Sequence, residues 1–136
     1  MPLRKPEDFV AGGSKVFRKA PVNLESMRGW VLISRDKAKD ALNQDNSTST
    51  RLGAAYDSVL NLSLAVLSSR GWRCTAADGH HVQALEAACS YIGVTQSVFD
   101  QMDAVRVCAT VNTMACLPAK ATWRLRWHAC SAWFLP

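Results

Sequence analysis

The stretch from Arg51 to Ser69 constrains this chain more than any other. Leu52, Ala55, Tyr56, Val59, Leu62, Ser63 and Val66 recur at intervals of three and four, while Ala54, Leu60, Leu64 and Leu67 make the other faces apolar as well. An amphipathic surface helix keeps one polar side; a helix apolar nearly all round has to be enclosed by neighbours. A helix over about 50–69 is therefore expected at the centre of a bundle, stopped by Gly71, with Leu60, Leu62 and Val66 turned inward.

Three more helices are expected around it. Asn23 is a good N-cap for a first helix over 24–42, with Leu24, Met27, Val31, Ala38, Ala41 and Leu42 on its inner stripe. Its other side carries the like-charge pairs Asp36/Asp40 and Arg35/Lys39, which solvate more than they stabilise. The run from Asn43 to Thr50 has no apolar residue and reads as a loop, with a cap at Ser49 or Thr50. Val82, Leu85, Ala88 and Ile92 define a helix over 80–92 that ends at Gly93, and Thr95 caps another over 95–107. That last helix turns Phe99, Met102 and Val105 inward and Asp100 and Asp103 outward. No segment alternates as a strand would. The expected class is all-α, an antiparallel up-and-down helical bundle of four to five helices.

Residues 1–22 hold Pro2, Pro6, Pro21 and the pair Gly12-Gly13 and show no lasting period, so they read as a flexible basic N-terminal arm. Residues 23–136 then form a single domain, which a chain of 136 residues can stabilise with one core. No apolar run reaches the ~20 residues of a membrane span, and the beginning MPLRKPEDFV lacks the apolar segment of a secretory leader, so no membrane association is expected. Five cysteines without finger-like spacing argue against a disulfide framework and a zinc site. The chain reads as cytoplasmic, with no metal and no cofactor. A net charge of +5 favours a polyanionic partner.

The chemistry-bearing residues are few. His80 and His81 stand together before the third predicted helix, and adjacent residues do not share a helical face, so the pair is a poor metal clamp. Tyr56 lies on the apolar stripe, where packing is its default, and Asp57 lies beside it. Cys74, Cys89 and Cys108 read as small core residues rather than nucleophiles. Neither a glycine-rich phosphate loop nor a serine elbow occurs.

The run R-L-G-A-A-Y-D-S-V-L-N-L-S-L-A-V-L-S-S-R-G-W-R (Arg51 to Arg73), followed by D-G-H-H-V-Q-A-L-E-A (Asp78 to Ala87), resembles the HEPN family, the higher-eukaryote and prokaryote nucleotide-binding domains. The likeness extends over about residues 24–106. It implies a helical bundle that forms a homodimer. It also implies a toxin-type, metal-independent endoribonuclease paired with a nucleotidyltransferase antitoxin. Arg51, Tyr56 and Asp57 are then expected to touch nucleotide or RNA. In the family the active residues are an Arg followed, four to six residues on, by a His in the late helix. Together they polarise a phosphate and move a proton.

Here the chain departs from that pattern. Arg106 supplies the cation at the right place, but the next histidine is His128. All eleven acidic residues lie at or before Asp103, whereas three of the five Cys and three of the five Trp follow it. Back-translation from Arg106, with each codon begun on the third base of the one before, permits R-L-R-N-R-K-H-Y-G. That reading has five residues between its first Arg and its His, and it points to a frameshift over about residues 107–127. A diverged basic, aromatic tail is the other explanation. On the sequence, the chain is expected to be inactive as it stands, with His80 and His81 the only substitutes for the missing imidazole. A non-catalytic HEPN module binding nucleotide or a partner protein, and a small basic nucleic-acid-binding bundle, are the alternative readings.

Overall fold

A computed structural model describes residues 2–111. In chain order it comprises α1 (Pro6–Ala11), β1 (Phe17–Lys19), α2 (Leu24–Leu42), α3 (Thr48–Ser69), β2 (Trp72–Cys74), α4 (His80–Ile92) and α5 (Gln96–Val111). The class is an all-α helical bundle, to which a two-stranded ribbon is added. Among the described residues, no helix is long and apolar enough to cross a membrane. His128 and most of the stretch read as frame-shifted lie outside the described residues.

Local signals set most helix ends. Asn23 caps α2 by accepting from the Ser26 N–H, and the helix stops at Asn43. The cap of α3 is Ser47, which accepts from the Thr50 N–H, so this helix starts two residues before the expected site. At its far end Gly71 takes a φ of 77°, and Gly93 closes α4 at 71°, backbone that a side chain would strain. Helix α5 begins after Thr95 and runs to Val111, beyond the expected end at 107.

Helix α3 is central, packing against α2, α4, α5 and β2. Its fully enclosed residues are mostly small: Leu52, Ala54, Ser58, Ser63, Ala65, Leu67 and Ser68. Leu60, Leu62 and Val66 are half-buried. Small residues let α2 and α3 approach closely, and a pair of hydroxyls fixes the register between them. Ser34 Oγ donates to the Ser58 carbonyl at 2.8 Å and Ser58 Oγ to the Ser34 carbonyl at 2.9 Å, with both side chains buried. Each hydroxyl is satisfied, so their enclosure avoids the cost of a buried orphan.

Of the stripe expected on α2, Ala41 is enclosed, but Leu24, Val31 and Leu42 are not. The enclosed residues of this helix are Ser34 and Ala41, whereas Leu24, Val31, Leu32 and Leu42 are exposed by 63%, 38%, 57% and 58%. Periodicity assumes that the largest apolar residues face inward; here the two hydroxyls and Ala41 do.

The second correction concerns the N-terminus. Residues 1–22 are not a loose arm: α1 and β1 pack on the bundle, and β1 pairs antiparallel with β2 in the register Phe17↔Cys74, Arg18↔Arg73, Lys19↔Trp72. Phe9, Val16 and Phe17 join Leu67, Trp72, Ala84, Ala87 and Ala88 in one core cluster. Phe17 meets Trp72 edge to face at 6.3 Å between ring centroids. The segment is clamped by Glu86, buried on α4, whose carboxylate accepts from the Arg4 N–H at 3.0 Å and from its guanidinium at 2.9 and 3.0 Å. A second cluster, Leu85, Cys89, Phe99 and Met102, joins α4 to α5. Cys89 and Cys108 are buried core residues as expected. Burial pushes the half-enclosed Cys74 thiol up to about 11, which leaves it protonated and unreactive.

Candidate functional site

The histidine pair is positioned by a left-handed glycine. Gly79, with φ 75°, turns the chain into α4, and the His80 N–H closes the turn on the Ala77 carbonyl at 3.1 Å. His80 Nδ1 lies 2.8 Å from that same carbonyl. A carbonyl only accepts, so Nδ1 carries the hydrogen and the Nε2 lone pair of His80 remains available.

His81 is oriented from α3. Its Nδ1 is hydrogen-bonded to the Tyr56 hydroxyl, and the two rings lie 5.8 Å apart between centroids. Burial, then His80, then Arg106 hold the His81 imidazole below its ordinary pKa, favouring the neutral ring. Burial also raises the Tyr56 phenol, against the opposing pull of Arg106. A protonated phenol can donate or accept; where Tyr56 donates, His81 Nδ1 is the acceptor and a hydrogen is left on His81 Nε2. The two imidazoles touch edge to face, 4.1 Å between centroids. With Tyr56 donating, the outward nitrogens of the two neutral rings have opposite character: His80 accepts and His81 donates.

The cation comes from α5. Arg106 acts electrostatically on both Tyr56 and His81, so α3, α4 and α5 each contribute to one cluster. It is already engaged: Arg106 Nε donates to Asp103 Oδ1 at 2.6 Å, with side-chain exposures of 22% and 29%. Asp103 was expected to face outward and is instead half-buried against the arginine. The i,i+3 spacing of Asp103 and Arg106 was its only signal in the sequence.

Arg51 and Asp57 stand elsewhere. Arg51 Nε donates to the Ala41 carbonyl at 2.9 Å, tying the end of α2 to the beginning of α3. Asp57 faces α2, where it pairs with Lys37 Nζ at 3.6 Å. Of the expected residues, Tyr56, His80 and His81 come together within the electrostatic reach of Arg106, and Arg51 and Asp57 serve the α2–α3 interface. Among the described residues, no three of His, Cys, Asp and Glu are grouped to hold a metal ion.

The lowered His81 pKa has a consequence for stability. Between its native and unfolded values, the unfolded chain binds the extra proton, so stability is lost as the pH falls through the ordinary histidine range. The urea midpoint should drop between about pH 7.5 and about pH 5.5, and His81→Gln should flatten that drop. An unchanged slope in the variant would show that His81 is as easily protonated folded as unfolded. No protein-family model, curated protein or solved structure matches this chain.

Proposed function

We propose that this chain is a HEPN-type bundle of ribonuclease descent that engages single-stranded RNA at Arg106, Tyr56, His81 and His80 and cleaves it slowly or not at all. The observation that carries the reading is the contact of the two imidazoles with each other and with Tyr56, within the electrostatic reach of Arg106. Such a set suits a phosphodiester. The cation takes the phosphate oxygens, His80 Nε2 accepts the proton of a 2′-hydroxyl, and the imidazolium form of His81, scarce because its pKa is lowered, gives its Nε2 proton to the departing 5′-oxygen. A cyclic phosphate and a free 5′-hydroxyl would result, with no metal in the step.

Weak turnover follows from the same geometry. Asp103 neutralises Arg106, so a phosphate has to displace a carboxylate already held at 2.6 Å. Asp103→Asn should tighten binding of a labelled single-stranded RNA about tenfold, and Arg106→Ala should weaken it by about the same factor, the range of one charge-assisted hydrogen bond. Titration by fluorescence anisotropy in EDTA measures both. Affinity indifferent to both changes would remove the cluster from RNA recognition. A steep salt dependence with that indifference would favour the general basic-bundle reading instead.

The homodimer belongs to the same proposal. Leu24, Met27, Val31 and Leu32, which line one apolar groove on α2, support it, because isolated large apolar side chains are ordinary but a contiguous patch of them is not. Leu32→Glu should convert a dimer to a monomer in light scattering, and a monomer in the parent chain would end this part of the proposal. A nucleotidyltransferase antitoxin and a cytoplasmic location are proposed on the family resemblance alone.

A further inference from the structure

Tyr56 has a partner that packing alone does not require. It stands on the apolar stripe of α3, yet its hydroxyl crosses to α4 and is hydrogen-bonded to His81 Nδ1. Both side chains are half-buried, so the pair is partly open to solvent. A hydroxyl bonded to an imidazole, with the imidazole oriented in turn by another group, has the geometry of a nucleophile and its base. The orienting group here is His80, whose ring meets that of His81 edge to face at 4.1 Å between centroids.

The electrostatics agree with that division of roles. Burial, with His80 and Arg106 beside it, holds the His81 imidazole below its ordinary pKa, so at neutral pH the ring is free to take a proton. Burial raises the Tyr56 phenol, which therefore reacts only with a base at hand, and Arg106 opposes the rise by favouring negative charge on the oxygen. The chain's other tyrosine is a contrast. Tyr91 Oη donates to both carboxylate oxygens of Glu7 at 3.2 Å, and a carboxylate in that position repels a phosphate.

We infer that Tyr56 is a nucleophile that attacks a phosphodiester of a DNA strand and becomes covalently joined to it. The bond from Tyr56 Oη to phosphorus forms as the bond from phosphorus to the 5′-oxygen of the next nucleotide breaks. His81 Nδ1 takes the phenolic proton and later returns it to solvent, while the departing 5′-oxygen takes a proton from solvent. One P–O bond replaces another, and the reverse reaction rejoins the strand. The inference rests on the reading of this cluster as a phosphodiester site and extends it to a second substrate class. In RNA the neighbouring 2′-hydroxyl is held beside the phosphorus and reacts first; DNA lacks that hydroxyl and leaves the attack to the tyrosine.

Incubation of the full chain in EDTA with thymidine 3′-(p-nitrophenyl phosphate) is the test, because the probe has no 2′-hydroxyl and its p-nitrophenolate stands in for the 5′-oxygen. A burst of one p-nitrophenolate per chain is expected, with one thymidylyl group found on Tyr56 by mass spectrometry. Tyr56→Phe, which keeps the ring, should abolish the adduct, with circular dichroism confirming the fold. His81→Gln should slow its formation at least about 100-fold, the lower part of the range contributed by a positioned base. An adduct on Tyr56 in a chain that neither binds nor cleaves RNA would support this inference and overturn the RNA reading. Absence of any adduct in a chain that does cleave RNA would overturn the inference and leave the RNA reading standing. An adduct on His80, His81 or Tyr91, or an unchanged yield in Tyr56→Phe, would overturn it as well.

Discussion

Replacing Phe17 by Ala should destabilise the protein by about 3–5 kcal/mol, the usual range for removing a buried aromatic ring. Phe17 is 6% exposed and stands between Phe9, at 5.5 Å between centroids, and Trp72, at 6.3 Å. Truncation would open a cavity under the ribbon and remove both ring contacts. It would also loosen α1, because Phe9 would lose the ring it packs against at 5.5 Å. Lys15→Ala, an exposed change a few residues earlier, should stay within about 0.5 kcal/mol. Urea unfolding of the two variants makes the comparison. Equal small effects would mean that residues 1–22 are dispensable to the fold and that the loose arm expected from composition is the better description.

The sequence made some of this legible and concealed the rest for identifiable reasons. Asn23 and Gly93 marked the start of α2 and the end of α4 because capping is decided by a few neighbouring atoms. The inner face of α2 is hidden from periodicity because Ser34 and Ser58 satisfy each other across the interface. Neither serine, seen alone, looks like a core residue. The ribbon leaves no periodic signal because three-residue strands are too short to show alternation, and Phe17 finds its partner Cys74 far along the chain. At the candidate site, His80, His81, Tyr56 and Arg106 were each visible as residue types. Their convergence from three helices was not, because periodicity carries no information about how helices dock. Arg51, in a motif-like run, stands at the α2–α3 junction, where it donates to the Ala41 carbonyl.

The largest change in activity is expected from the coding sequence rather than from a substitution. Inserting one nucleotide at Arg106, so that the following codons permit R-L-R-N-R-K-H-Y-G, should raise metal-free cleavage of single-stranded RNA by at least about 100-fold, the lower part of the range contributed by a positioned acid or base. In the chain as it stands the imidazoles come from α4, where His81 Nδ1 is occupied by Tyr56 and His80 Nδ1 by Ala77. Each therefore has one working nitrogen, and the nearby cation is shared with Asp103. The restored reading adds Arg and Lys residues after position 106 and a histidine that no α4 contact restrains. It supplies cations that Asp103 cannot neutralise alone. Cleavage of labelled RNA in EDTA, followed over hours for both chains, measures the difference. Equal rates would sink the frameshift reading. Robust cleavage by the unaltered chain, abolished by His80→Ala or His81→Ala, would move the working active site to the turn at Gly79 and make the cluster described here sufficient by itself.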